Sequence, residues 1–250
     1  MVKNRVSIIM AAGNDEDVIE DALASATWAD EIIVVLSEHS KDKTKRIASR
    51  YTEKIYITKN HLGYQRNYGI QKSTGDWILI LDTDERVPFD LKMELTQRLN
   101  EAKYVGYFIP YKNYFLGHPI KWGNQSYKKL RLFKKNQGVI ENLKTHPEIA
   151  VKGATGNLKS SLKHYSFRSI PQILNKFTYY AREDVDRLRK SEKPTIWKLV
   201  IYPLHMFWAI FVEGEGWRDG IWGLGVALCF TYYEFARYYF LLLYRLKQRS

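Results

Sequence analysis

Trp77-Ile78-Leu79-Ile80-Leu81-Asp82-Thr83-Asp84-Glu85 is an apolar run that breaks into three carboxylates within four residues. So short and Ile-rich a run predicts a buried strand over residues 77–81, whose end delivers Asp82 and Asp84 together to the rim of a sheet. Two hard oxygen ligands there suit a divalent cation such as Mg²⁺ or Mn²⁺. Such a cation takes one or two protein carboxylates and fills its remaining positions with water and substrate phosphates. An Asp-x-Asp alone also describes a strand ending in a solvated acidic turn, so the surrounding chain decides.

Upstream of this stretch, apolar runs over residues 6–10, 31–36 and 54–57 predict three further strands. Helical patterns over residues 16–26, 44–51 and 63–71 fall between them. This β-α-β-α-β order implies a mostly parallel sheet with right-handed crossovers and ligands beyond the carboxyl ends of its strands. Asn14-Asp15-Glu16, Ser37-Glu38-His39-Ser40 and Asp82-Thr83-Asp84 all fall at those ends. Three polar clusters therefore converge on one rim.

Downstream, residues 103–158 are aromatic, basic and turn-rich, which predicts short strands and loops walling an acceptor site. Residues 169–190 return to helical spacing, with Ile173, Leu174, Phe177, Tyr180, Val185 and Leu188 on the apolar positions. Residues 195–246 are rich in Trp, Tyr, Phe and Leu, yet Lys198, Pro203 and His205 break the first half, and Glu234 and Arg237 the second. Neither half reaches the ~20 apolar residues of a membrane span. Aromatics interleaved with Lys and Arg suit helices lying in a bilayer interface, and equally a helical pair packed on the domain or on a second copy in a homo-oligomer.

At 250 residues, 45% apolar and 26% charged, the chain is folded rather than disordered and has room for one large domain with an appendage. A lone cysteine, Cys229, excludes an intrachain disulfide and a cysteine-based zinc site, as expected for reducing surroundings. No secretory signal is visible in residues 1–10. The net charge of +12 is uneven: residues 1–102 sum to −3, residues 103–158 to +8 and residues 159–250 to +7. The later segments therefore face a polyanion, whether anionic lipid headgroups, a phosphorylated substrate or nucleic acid. Nucleic acid ranks last, because no recognition-helix pattern, zinc spacing or RNA-binding signature accompanies the charge.

Several blocks, in order, resemble family 2 glycosyltransferases of the GT-A fold, and within them the bacterial branch that includes the lipopolysaccharide core β-glucosyltransferases. They are Asn14-Asp15-Glu16, Trp28-Ala29-Asp30-Glu31-Ile32, Ser40-Lys41-Asp42-Lys43-Thr44, Gly63-Tyr64-Gln65-Arg66-Asn67, Thr74-Gly75-Asp76-Trp77 and Leu81-Asp82-Thr83-Asp84-Glu85-Arg86-Val87. Beyond these, Asn113-Tyr114-Phe115-Leu116-Gly117, Lys129-Leu130-Arg131-Leu132-Phe133 and His164-Tyr165-Ser166-Phe167-Arg168 also match. The likeness implies a donor-binding α/β half over residues 1–102, an acceptor-side part of the same GT-A domain over 103–168 and a helical, membrane-associating extension over 169–250.

It further implies a nucleotide-sugar donor whose diphosphate is bridged by Mg²⁺ or Mn²⁺ at Asp84 and Asp82, with Asp82 alternatively reaching the ribose and Thr83 beside it on the donor side. His164, following an expected strand at residues 161–163, matches the late histidine that completes such metal sites. Ala11, Gly13, Asn14 and Glu16 occupy the loop that relatives place around base and ribose, with Ala12 where an aromatic usually stands. Ser37 replaces the Asp that reads a uracil edge; it still hydrogen-bonds but brings no charge, which opens the donor to other nucleotides. Gln65, Arg66 and Asn67 match the donor-site segment, Arg66 with a guanidinium fork for the diphosphate.

An inverting transfer also needs a base on the acceptor side. Relatives place Glu-Asp and a downstream His-Glu where this chain has Ile140-Glu141-Asn142 and Thr145-His146-Pro147-Glu148. Asn142 accepts no proton at neutral pH, so Glu141 and Glu148 are the candidates, with His146 third. The expected activity is transfer of one sugar to a lipid-linked or cell-envelope glycan by an enzyme peripheral to the cytoplasmic face of the inner membrane. A sugar-phosphate nucleotidyltransferase, whose Gly-rich phosphate loop is missing here, and a catalytically silent envelope scaffold are the alternatives.

Overall fold

A computed structural model describes residues 4–59, 61–99, 103–141, 148–191 and 195–247. The chain runs β1 (Val6–Ala12), α1 (Ile19–Ala26), β2 (Glu31–Ser37), α2 (Thr44–Ala48), β3 (Ile55–Thr58), α3 (Leu62–Lys72), β4 (Trp77–Ile80), β5 (Glu85–Arg86), α4 (Phe89–Arg98) and β6 (Gly106–Phe115). There follow β7 (His118–Ile120), β8 (Lys128–Lys134), β9 (Gly138–Ile140), β10 (Ile149–Val151), β11 (Thr155–Asn157), β12 (Leu162–Phe167) and three helices, α5 (Ile170–Ser191), α6 (Lys198–Trp208) and α7 (Gly220–Lys247). The chain divides into two compact units, residues 1–111 with 127–164, and residues 112–126 with 165–250.

In the first unit the strand order β3-β2-β1-β4 is parallel, as the apolar runs predict. β8 then adds antiparallel to β4, and β6 antiparallel to β8. Alternation along the strands feeds two cores, because a sheet covered by helices on both faces must bury both sets of side chains. Ile8, Met10, Val34, Leu36 and Leu79 pack with α1 and α4. Ile9, Ile33, Val35, Ile78 and Ile80 pack on the other face, beside Tyr68 and Ile70 of α3. Helix α3 lies so close that a Cβ on Gly69 would sit 2.4 Å from Ile9 Cγ2.

Residues 103–158 hold mostly short strands, as expected of them, with β6 the exception. β6 alone runs for ten residues, with Tyr107, Ile109, Tyr111 and Phe115 buried. Burial alternates along it, with Tyr107, Ile109, Tyr111, Asn113 and Phe115 inward, its aromatic content favours a long strand despite Pro110, and a bulge between Tyr107 and Phe108 shifts its register on β8. β9 and β10 form a separate antiparallel hairpin.

The second unit holds α5, α6, α7 and the short strand β7, around Phe115, Phe167, Ile173, Phe177, Ile210 and Val226. The charges that interrupt its apolar pattern are paired inside the unit. Arg237 meets Glu234 at 2.6 Å and Asp184 of α5 at 3.2 Å, and Tyr233 donates to Asp184. Among the described residues no helix is long and apolar enough to cross a membrane.

At the amino ends of the parallel strands one buried carboxylate ties four segments together. Glu31 accepts from Ser7 Oγ, from Lys54 Nζ and from the Thr74 N–H at 2.9 Å, while Gly75 N–H donates to Ser7 Oγ at 2.9 Å. Burial disfavours the charge, but Lys54, Ser7 and Thr74 outweigh it and hold the Glu31 pKa at about 2, below its ordinary 4.5. A carboxyl depressed in this way adds stability that is complete above pH 4.5 and lost as pH falls toward about 2. Urea unfolding should show the stability difference between wild type and Glu31→Gln shrinking by about 2 kcal/mol from pH 6 to pH 3. A difference that stays constant with pH would refute this role.

Candidate functional site

β4 ends at Ile80, and the chain turns through Asp82, Thr83 and Asp84 into β5, closed by Glu85 N–H donating to Asp82 O at 3.0 Å. The Asp82 side chain, on one flank of this turn, is half-buried. Glu85 is fully buried, and its Oε2 accepts the Asp82 N–H at 2.9 Å. Two neighbouring carboxylates in such a place require cations, and two arginines supply them. Arg131 of β8 donates through Nη2 to Asp82 Oδ2 and to Glu85 Oε1, each at 2.7 Å. Arg66 of α3 donates to Asp82 Oδ1. Tyr111 of β6 donates its hydroxyl proton to Glu85 Oε1 at 2.7 Å and accepts from Arg131 Nε.

This network sets the charge states. Burial opposes an ionised Asp82, but the Arg131 and Arg66 guanidiniums beside it hold its carboxyl far below the usual carboxylate range. Burial, reinforced by Glu85 and Asp82, pushes the Tyr111 phenol well up, so it stays a donor. Arg66 is almost wholly buried, and its Nε has no hydrogen-bond partner among the described residues.

Antiparallel pairing of β12 with β5 sets His164 opposite Glu85 and brings His164 Nε2 to 3.6 Å from Asp84 Oδ2. His164 lies inside β12 rather than after a strand ending at 163, because the pairing with β5 carries the strand on through it. Tyr127 hydroxyl lies 3.4 Å from His164 Nδ1, and the Tyr111 ring meets the imidazole edge-on at 5.4 Å. One carboxylate oxygen and one imidazole nitrogen form a donor set suited to a divalent cation that takes its other ligands from phosphate and water. Among the described residues no three His, Cys, Asp or Glu side chains gather as a complete metal shell.

The first loop is braced against the second. Asn14 Oδ1 accepts the Lys41 N–H at 2.8 Å, Glu16 Oε2 accepts the Lys43 N–H at 2.9 Å, and Ser40 Oγ donates to Gly13 O at 2.6 Å. Asp15 Oδ2 accepts the Gly13 N–H at 2.6 Å. Burial raises the Asp15 carboxyl against that bond and one from Thr83, and the negative charges of Asp84 and Asp42 add to the rise. The expected donor residues thus divide. Asn14 and Glu16 each spend a side-chain oxygen on loop shape, whereas Ala11, Gly13 and Ser37 stand at the carboxyl ends of β1 and β2. Gln65 is buried and donates to Val35 O at 3.2 Å, bracing α3 on the strand ends. Asn67 donates to Ile140 O at 2.9 Å, which ties β9 to the same helix.

Glu141 and Glu148 leave the β9–β10 hairpin side by side. Glu141 N–H donates to Glu148 O at 3.0 Å, and Glu148 N–H lies 3.3 Å from Glu141 Oε2. Asn142 and His146 lie outside the described residues.

Glu85, Tyr111 and Arg131 carry the network and received no role from the sequence. A cation inside an otherwise apolar strand, Leu130-Arg131-Leu132-Phe133, was the available signal, since a buried guanidinium requires a buried partner. Arg131→Met should lower stability by about 3–5 kcal/mol by leaving Asp82 and Glu85 without their shared cation. In urea unfolding the deficit should be larger at pH 7 than at pH 5, where one carboxyl takes up a proton, and Arg131→Lys should restore part of it. Equal stability of Arg131→Met and wild type would refute the network.

Four similarities bear on this site. The family described as Glycosyl transferase family 2 matches residues 7–165. An uncharacterized glycosyltransferase of Rickettsia typhi is 25% identical over 249 residues, covering 93% of this chain and 85% of its own length. One from Rickettsia bellii is 26% identical over 254 residues, covering 95% and 86%. The fold is similar to that of S. aureus TarS 1-349 in complex with UDP-GlcNAc, with a TM-score of 0.52 and 14% identity over 97% of this chain and 92% of that one. The α/β core is GT-A-like, as the sequence implies, and the nucleotidyltransferase alternative falls away. The parallel strands, the acidic turn after β4 and the bracing loops all lie within the matched residues, and the chain belongs to glycosyltransferase family 2.

Proposed function

We propose that the protein is an inverting glycosyltransferase that moves a sugar from a nucleoside-diphosphate sugar to a lipid-linked or cell-envelope glycan of lipopolysaccharide type. The observation that carries this reading is the Asp84–His164 pair set beside an Asp82 locked between two arginines. Asp84 and His164 hold Mg²⁺ or Mn²⁺. When bound, the cation neutralises charge on the departing diphosphate and so lowers the cost of breaking the anomeric bond.

The remaining roles belong to the chain itself. Both Asp82 oxygens accept from guanidiniums, so Asp82 works mainly by fixing Arg66 and Arg131. Backbone at Ala11 and Gly13, with Ser37 at the end of β2, borders the nucleoside. TarS was crystallised with UDP-GlcNAc, which supports a nucleotide-sugar donor here. Glu141 or Glu148 takes the proton from the acceptor hydroxyl, at the mouth of a hairpin that Asn67 ties to the arginine-bearing helix. The +8 charge of residues 103–158 favours an acceptor carrying phosphates or anionic sugars.

A thermal-shift panel of nucleoside diphosphates, with and without Mn²⁺, should find one base whose diphosphate stabilises the protein only with the metal. Asp84→Asn and His164→Ala should abolish that metal-dependent shift. Each should also cut donor turnover by about 100-fold or more. Undiminished transfer in Asp84→Asn would overturn the assignment.

A further inference from the structure

Apart from Lys198, His205 and the Tyr202 hydroxyl, helix α6 is apolar, and only one side of it is covered. Leu199 and Tyr202 pack in one cluster of the second unit, Met206 and Phe207 in another, and Pro203 is buried. The other side carries Val200, Ile201, Leu204 and Trp208, continuing the line begun by Trp197 at the helix start, and each of the five is more than half exposed. A surface helix ordinarily turns polar groups outward, as α5 of the same unit does with Asn175, Arg182, Asp186, Arg187 and Lys190. The bare side of α6 is therefore a contact surface rather than a by-product of packing.

From its chemistry we infer that this side docks on an anionic lipid surface, with α6 lying in the plane of the bilayer interface. Residues 195–212 contain Lys198 and His205 but no Asp or Glu, so no carboxylate opposes an anionic headgroup. Residues 159–250 as a whole carry 15 Lys and Arg against 8 Asp and Glu. Exposed tryptophans stand at both ends of the helix, where amphipathic rings settle at headgroup depth. A face between folded proteins would offer paired donors and acceptors around an apolar centre, and this one presents no carboxylate or amide side chain between Ile196 and Val212. Among the described residues no helix is fit to span a bilayer, which leaves in-plane seating. The inference goes beyond the transferase reading and would bring that enzyme to a lipid-linked acceptor.

Co-sedimentation of the full-length protein with vesicles tests it. Binding should be about tenfold tighter to phosphatidylcholine vesicles containing about one-third phosphatidylglycerol than to phosphatidylcholine alone, and should weaken with salt. The variant Trp197→Gln/Ile201→Gln/Leu204→Gln should bind about 100-fold more weakly with its melting temperature retained, since all three side chains are exposed. Independently of any variant, brominated lipid should quench the wild-type tryptophan fluorescence. Absence of vesicle binding in the wild type would overturn the inference. So would a wild-type dimer, seen by sedimentation equilibrium, that the triple variant dissolves, because a second copy would then cover the face. Mn²⁺-dependent nucleotide binding on the same sample separates a failure here from a failure of the transferase reading.

Discussion

Two neighbouring carboxylates, one of them fully buried, cannot share a turn without cations, and that constraint organises the first unit. Asp82 and Glu85 are joined by the Asp82 N–H to Glu85 Oε2 bond and by a single Arg131 nitrogen that reaches both side chains. Arg131 comes from 49 residues further along the chain than Asp82, and Tyr111, which completes the set, comes from a third strand. The acidic turn therefore takes its shape only once β6 and β8 have joined the parallel strands. An apolar replacement of the whole set could be as stable, as buried ion pairs often are when exchanged for hydrophobic groups. What the ionic version adds is a fixed position for Arg66, and for Asp84, which the turn holds beside His164.

The same fixing of groups before any ligand arrives recurs in the first two loops. Side-chain oxygens of Asn14, Asp15, Glu16, Asp42 and Thr44 accept backbone N–H groups of Lys41, Gly13, Lys43, Glu16 and Asp15, respectively. Loop ordering is then complete at folding and is not charged against binding. Residues that look like ligand contacts in a motif are in part the framework that holds neighbouring backbone in place.

This division explains what was legible. The parallel strands announce themselves as short apolar runs ended by polar clusters, and β1, β2 and β4 lie within a residue or two of the expected limits because burial on both faces leaves no alternative composition. Asp84 and His164 were readable as a pair through the family likeness. Glu85 and Arg131 were present in quoted motifs without a role, since nothing local says which of three adjacent acids points inward. That choice is made by β8, a strand whose partner cannot be inferred from its own sequence. Helix α1 begins at Ile19 rather than at residue 16, and the Asp15 and Glu16 N–H groups ahead of it are taken by Thr44 Oγ1 and Asp42 Oδ2 from a distant segment.

In the second unit the sequence placed the interruptions correctly but not their meaning. Glu234 and Arg237 read as breaks in an apolar span, yet they are buried or half-buried, Arg237 pairing with Glu234 on its own helix and with Asp184 across the α5–α7 contact, so they cement the unit and leave its exterior uncharged there. Along α7 the exposed apolar residues Ile221, Leu228 and Phe235 recur every seven positions, a spacing that keeps them on one side of the helix. The helices that cover the core with their inner faces thus expose apolar stripes where the charge pattern alone would predict solvated ones. Packing requires only the inner faces, so the outer apolar residues of α6 and α7 are the ones that the proposed docking on lipid would bury. The aromatic content of residues 195–246, ambiguous as composition, acquires a direction once the inner and outer halves of each helix are told apart.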